Sequence, residues 1–172
     1  LETWEWQNAH VVFDASELKL PNLGYMVENN VLQLALWQAL EAHPQVTLLQ
    51  GTSLEKMHSQ GEGQILRLTN ASEIHAKLVV GADGAMSQIR QQAGIGTHGW
   101  QYPQSCMLIT VKSENEPGDS TWQQFSPTGP RAFLPLFENW ASLVWYDTPA
   151  RIRQLQSLTM PQLQREIAAH FP

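Results

Sequence analysis

Cysteine is almost absent: Cys106 stands alone in 172 residues. No internal disulfide can staple this fold, and the chain suits a reducing, cytoplasmic setting. No apolar run approaches the roughly 18 residues of a membrane span, and no signal peptide is visible. Charge of one sign is scarce as well. Lys and Arg number 10 against 16 Asp and Glu, for a net charge of −6, and no basic stripe is present, so nucleic acid is not an expected partner. The six histidines have no ligand spacing, and no metal site is expected. The sequence also lacks a Gly-x-Gly-x-x-Gly fingerprint and a phosphate loop ending in Gly-Lys-Ser or Gly-Lys-Thr. No nucleophile elbow surrounds a serine. Cys106 itself lies in an apolar run, where a thiol behaves as a small hydrophobe.

Tryptophan, by contrast, is abundant, with 7 copies. Trp4 and Trp6 fall on one face of an alternating segment, and Val11, Val12 and Phe13 follow the polar Gln7-Asn8. The first twenty residues read as a β-hairpin, closed at Asp14-Ala15-Ser16. The paired tryptophans read either as core packing or as a substrate-facing wall. After a loop at Pro21 and Gly24, helical spacing of Val31, Leu32, Ala35, Leu36 and Leu40 predicts a helix from Asn29 to Ala42. Asn29 or Asn30 can cap it, and His43-Pro44 ends it.

Four strands are predicted next: Val46–Leu49, Ser53–His58, Gln64–Leu68 and Ile74–Val80, with a turn at Gly61-Glu62-Gly63. The last runs into Gly81-Ala82-Asp83-Gly84, where glycines let the backbone bend and approach a ligand closely. Ser87 caps a short helix to Gln92, which Gly94 stops. A carboxylate at the carboxyl end of such a strand lies where open α/β sheets bind ligands. Beyond Trp100 the pattern changes. Strands are predicted at Cys106–Val111, Ser120–Phe125, Arg131–Phe137 and Ala141–Tyr146, with a polar turn at 114–119. Two short helices then follow Pro149 and Pro161, each with proline in its first turn, the second burying Leu163, Ile167 and Phe171.

The run Leu78–Val80, Asp83, Gly84, Ser87 and Arg90 resembles the second flavin motif of the aromatic-ring hydroxylases related to para-hydroxybenzoate hydroxylase. Gly24–Asn29 and Ala35–Leu40 are similar to the ubiquinone-biosynthesis branch. Leu1–Trp6, Asp119–Phe125, Gly129–Phe137 and Trp140–Tyr146 point to one member of it. The resemblance covers essentially the whole chain. It implies an α/β fold in which part of an FAD-binding domain (residues 21–97) is interleaved with an antiparallel substrate-binding sheet. That sheet takes a hairpin from residues 1–20 and its main part, with two helices, from 98–172. It further implies FAD as cofactor, NAD(P)H as co-substrate and a polyprenylated benzoquinol as substrate. Asp83 and Gly84 would meet the ribityl–pyrophosphate part of FAD, with Arg90 three residues after the serine. Asn29 stands in register with a polar residue that reaches the flavin, although Arg or Gln is usual there. Leu54 occupies a position that packs beside adenine, or is an ordinary core leucine.

Arg131 reads either as a surface arginine at a strand start or as a group meeting a polar ring substituent or a pyrophosphate. With Phe133 and Pro135 it forms the candidate substrate set. No catalytic side chain is expected. The pyrophosphate glycine fingerprint and the later Gly-Asp motif of the family are missing, the chain opens at Leu1 without methionine, and it ends at Pro172 just after a helix. An inactive piece of a longer enzyme is therefore expected, binding FAD weakly or not at all and prone to self-association. The prenyl tail implies peripheral contact with the inner membrane and other ubiquinone-biosynthesis proteins as partners. A quinone- or partner-binding module without chemistry, and a flavin hydroxylase of another aromatic ring, remain the alternatives.

Overall fold

Alternation decides the largest sheet. In β9 (Trp140–Asp147) every second residue from Ala141 is buried, because successive side chains of a strand point to opposite faces. Its neighbour β6 (Ser105–Lys112) alternates in the same sense, pairing antiparallel from Ser105↔Asp147 to Lys112↔Trp140. The computed structural model describes residues 1–5, 9–115 and 117–172. The expected roles of Trp6, of Gln7-Asn8 and of Glu116 in its polar turn lie outside the described residues.

Two compact units divide the chain, one of Leu1–Ala35 with Gln101–Pro172 and one of Leu36–Trp100. The first is built on a six-stranded sheet in the order β2-β1-β7-β8-β9-β6. Here β1 is Glu2–Glu5, β2 Ala9–Val12, β7 Trp122–Phe125 and β8 Arg131–Pro135. The opening hairpin and the β8–β9 hairpin form as the sequence patterns predict. The sheet is not wholly antiparallel: β1 runs parallel to β7, since the two are joined by a long excursion rather than a turn. Asp14 does not turn the hairpin but caps a 3₁₀ turn at Ala15–Leu18, accepting from the Ser16 N–H at 2.8 Å.

Helices α3 (Pro149–Gln156) and α4 (Met160–His170) follow β9. Thr148 accepts the Arg151 N–H at 3.3 Å, and Thr159 with Gln162 forms a capping box, satisfying donors that a helix start leaves free. Ile152, Leu155 and Leu163 pack against Trp145, and Ile167 and Phe171 close the cluster. Trp145 and Leu155 are wholly buried, and each contributes roughly 2–3 kcal/mol of apolar transfer. Of the two tryptophans read either as core packing or as a substrate-facing wall, Trp4 is half-buried against other rings. Trp4 lies 5.1 Å from Trp122, which stacks on Phe133 at 5.9 Å and meets Phe171 at 6.0 Å. Cys106 departs from its expected place. Pleating turns Met107 and Ile109 inward, so the thiol lies exposed opposite Tyr146.

The second unit carries a three-stranded meander: β3 (Leu54–Gln60), β4 (Gly63–Leu68) and β5 (Glu73–Ala76). Ile65 and Leu68 are its buried apolar residues. Of the predicted strands, Val46–Leu49 does not form, and Ile74–Val80 forms only as far as Ala76. Neither Val46–Leu49 nor Leu78–Val80 is paired with another strand, and Leu78 and Val80 are 79% and 72% exposed. Extended backbone becomes a strand only where a neighbour completes its ladder, and none of the described residues does so for these runs. Helix α1 (Asn29–Glu41) buries no residue. Its first main-chain bonds are accepted by Glu28, from Val31 at 3.1 Å and Leu32 at 3.2 Å. The capping position expected at Asn29 or Asn30 thus falls on Glu28. Among the described residues no helix is long and apolar enough to cross a membrane.

Candidate cofactor-binding site

The turn after Val80 is shaped by two glycines. Gly84 takes φ +83°, and a Cβ built there would meet nothing within 4 Å. Most side chains are strained in that conformation, so the backbone bends and leaves open space beside it. Asp83 precedes it. The Ser87 hydroxyl donates to one Asp83 carboxylate oxygen, and the other accepts the Gln88 and Ile89 N–H groups at 2.7 and 3.2 Å. These bonds hold the Asp83 carboxyl below the usual carboxylate range, with the Ser87 hydroxyl the largest cause. Ser87 is itself buried and accepts the Arg90 N–H at 3.0 Å, opening α2 (Gln88–Gln92). Arg90 donates from Nη1 to the Ala85 carbonyl at 2.9 Å. Gly94, at φ +69°, closes α2, as the sequence predicts.

A cleft of about 640 Å³ opens between this corner and the meander. Met57, His58 and Ser59 form one wall, and Gly81, Gly84, Ser87 and Arg90 another, with Lys77 and Gln92 between them. Its polar lining mixes cationic and amide donors with hydroxyls, a set that receives phosphate and sugar oxygens. It holds no nucleophile–base pair of the kind covalent catalysis uses.

Of the residues singled out in the sequence, Gly84 and Arg90 line this cleft, and Asp83 stands beside the lining, bonded to its Ser87 and Ile89. Leu54 starts β3, half-buried and outside the lining. Asn29 is the first residue of α1, in the other unit. Arg131, Phe133 and Pro135 all lie on β8, opposite Trp145, Leu143 and Ala141, and so share the face that the core uses. The Arg131 guanidinium sits 5.2 Å from the Trp145 ring centre and donates to the His170 carbonyl at 3.5 Å. Burial lowers its pKa, and the Asp147 charge acts in the opposite direction. Phe133 stacks on Trp122.

Residues 3–159 match the FAD binding domain family. The chain belongs to the FAD-binding domain family. It is 72% identical over 172 residues to the 3-demethoxyubiquinol 3-hydroxylase of Escherichia coli (strain K12), covering all of this chain and 44% of that protein. The ubiquinone hydroxylase UbiL of Rhodospirillum rubrum is 35% identical over 149 residues, which are 87% of this chain and 35% of the relative. Among solved structures, a flavoprotein/dehydrogenase from Cytophaga hutchinsonii superposes with a TM-score of 0.74 at 13% identity, covering 96% of this chain and 42% of that one. The chain thus spans less than half the length of these proteins.

The corner of this FAD-binding domain fits the cofactor. Gly84 leaves room for a close backbone approach. Asp83 accepts three hydrogen bonds from its own chain, and a carboxylate has about four acceptor sites, so one remains for a ribityl hydroxyl. Lys77 and Gln92 are among the lining residues that sequence reasoning missed. Lys77 falls inside the predicted strand Ile74–Val80, a place that signals nothing by itself. Gln92 resembles any helix-end glutamine until its partners are known.

Proposed function

We propose that this chain is part of an FAD-dependent aromatic-ring monooxygenase of ubiquinone biosynthesis, using NAD(P)H and O₂ to hydroxylate a polyprenylated benzoquinol. The specific reading is a 2-octaprenyl-3-methyl-6-methoxy-1,4-benzoquinol hydroxylase, internal segment. The observation that carries it is the open Asp83–Gly84 corner over a polar cleft, in a chain of the FAD-binding domain family. The names of the relatives supply the substrate class.

In this reading Asp83, Gly84, Arg90, Leu54 and Asn29 hold FAD, while Arg131, Phe133 and Pro135 serve the substrate sheet. When bound, FAD supplies the redox chemistry. The residues of this chain bind and orient, and none donates or removes a proton in the reaction. The Asp83 carboxylate accepts from the cofactor's sugar chain, and Gly84 lets the backbone lie against it. We infer a cytoplasmic enzyme peripheral to the inner membrane, where a prenylated substrate and other ubiquinone-biosynthesis proteins would meet it. Exposed apolar side chains such as Leu78 and Val80 would drive self-association of the isolated chain.

One observation favours a second reading, a quinone- or partner-binding module without chemistry: every hydrogen bond that Asp83 accepts here comes from its own turn and helix. Visible absorption of the full-length polypeptide separates the two. Flavin bands near about 450 nm that survive gel filtration in the native protein and vanish in Asp83→Ala are expected. A colourless full-length protein would give the lead to the binding module.

A further inference from the structure

Strand β3 has one free edge, because the meander runs β3-β4-β5. At that edge the Met57 N–H donates to Gln92 Oε1 at 2.6 Å, and Gln92 Nε2 donates to the Glu55 carbonyl at 3.2 Å. These two main-chain groups flank Lys56, and a parallel neighbouring strand would bond the same pair. The side-chain amide therefore occupies the place of a missing strand residue. It does so where the β3–β4 register shifts, between Leu54 and Lys56, a point at which the strand's own ladder is weakest.

The other end of α2 is fixed as firmly. Ser87 caps it, and Asp83 receives the Gln88 and Ile89 N–H groups. With five residues at about 1.5 Å each, α2 is a short strut between the Asp-Gly corner and β3. Those two ends carry the two walls of the cleft, and Gln92 itself lines it.

We infer that Gln92 is a positioning residue for the cofactor, setting the spacing between the β3 wall and the Asp83–Gly84 wall. This rests on the proposed reading that the cleft takes FAD. A dinucleotide that touches both walls gains from their fixed separation, as any preorganised site gains. A half-molecule that touches one wall does not.

The test uses the full-length polypeptide and compares FAD with its two halves, FMN and AMP, the halves being read as competitors of FAD binding at millimolar concentration. Gln92→Ala weakens FAD binding by about tenfold, because the two walls lose the link that fixes their spacing before the cofactor arrives. FMN and AMP inhibition constants stay within about twofold, since neither half needs the spacing. Gln92→Glu keeps the acceptor for Met57 but loses the donor to Glu55, and falls between Gln92→Ala and the native protein. Equal weakening of all three ligands would show a general loss of structure and overturn the inference, as would unchanged FAD affinity in both variants. A native protein that binds no FAD at all would instead overturn the cofactor reading, and needs no variant to be seen.

Discussion

The Ser87 hydroxyl donates to the Asp83 carboxylate while accepting the Arg90 N–H, so one buried side chain joins the glycine turn to the helix after it. Ser87→Ala removes both bonds and exposes a helix start without a cap. Unfolding in urea should show a loss of about 1 kcal/mol, the usual cost of deleting a serine cap. An unchanged midpoint would mean that water replaces the hydroxyl.

The same corner makes the site sensitive to acid. Asp83 is held below its ordinary value by the Ser87 hydroxyl first and then by main-chain N–H groups. A depressed folded value stabilises the fold above the unfolded pKa and loses that contribution as pH falls through the folded one. The bonding of Asp83 is therefore whole at neutral pH, and its contribution is lost as pH falls from the ordinary carboxylate range through the lower folded value. Circular dichroism of acid titrations should show Asp83→Asn flattening that limb of the profile.

Leu155 is wholly buried against Trp145, Ile152 and Leu163. Leu155→Ala leaves a cavity that the sheet cannot collapse to fill, with an expected loss of about 3 kcal/mol. Calorimetry would record it as a lower melting temperature. A loss below about 1 kcal/mol would mean that α3 repacks.

Gly129, at φ +140°, holds the turn before β8 against β9. An added Cβ would lie 2.8 Å from the Tyr146 Cβ and 3.1 Å from the Tyr146 carbonyl oxygen. Gly129→Ala must move backbone as well as a side chain, and should cost about 2 kcal/mol. A denaturant series on this variant and on Gly118→Ala, whose Cβ meets nothing within 4 Å, separates the clash from the strain of positive φ.

Where sequence and structure agree, the deciding signals are local. Apolar and aromatic runs between turns placed β6, β8 and β9, proline placed the starts of α3 and α4, and the Ser87–Gly94 interval placed α2 within a residue. The strand reading that failed, Val46–Leu49, and the end of Ile74–Val80 beyond Ala76, were right about extended, apolar backbone. A strand, however, also requires a partner, and a partner is not a property of the run itself. The corner of the site was legible because Asp83, Gly84 and Ser87 are adjacent in sequence. The Gln92 link to Glu55 and Met57 spans more than thirty residues and rests on a side chain with no distinctive spacing. Arg131 shows the opposite limit. Its charge drew attention as a substrate contact, while its partners, Trp145 on β9 and the carbonyl of His170 at the end of α4, are announced by no local pattern.

The parallel pairing of β1 with β7 joins Glu2 to Trp122, about 120 residues further on. Closing so long a loop is slow, because its entropy is lost before any contact rewards it. The meander needs only neighbouring hairpins. A ribosome would release β3 to β5 in foldable form while β1 still waited, with its aromatic face uncovered, for β7 to emerge. Pulsed hydrogen exchange during refolding should protect the Ile65 amide well before that of Glu2. β1 would then be secured long after it is made, and that interval is when this chain most needs a chaperone.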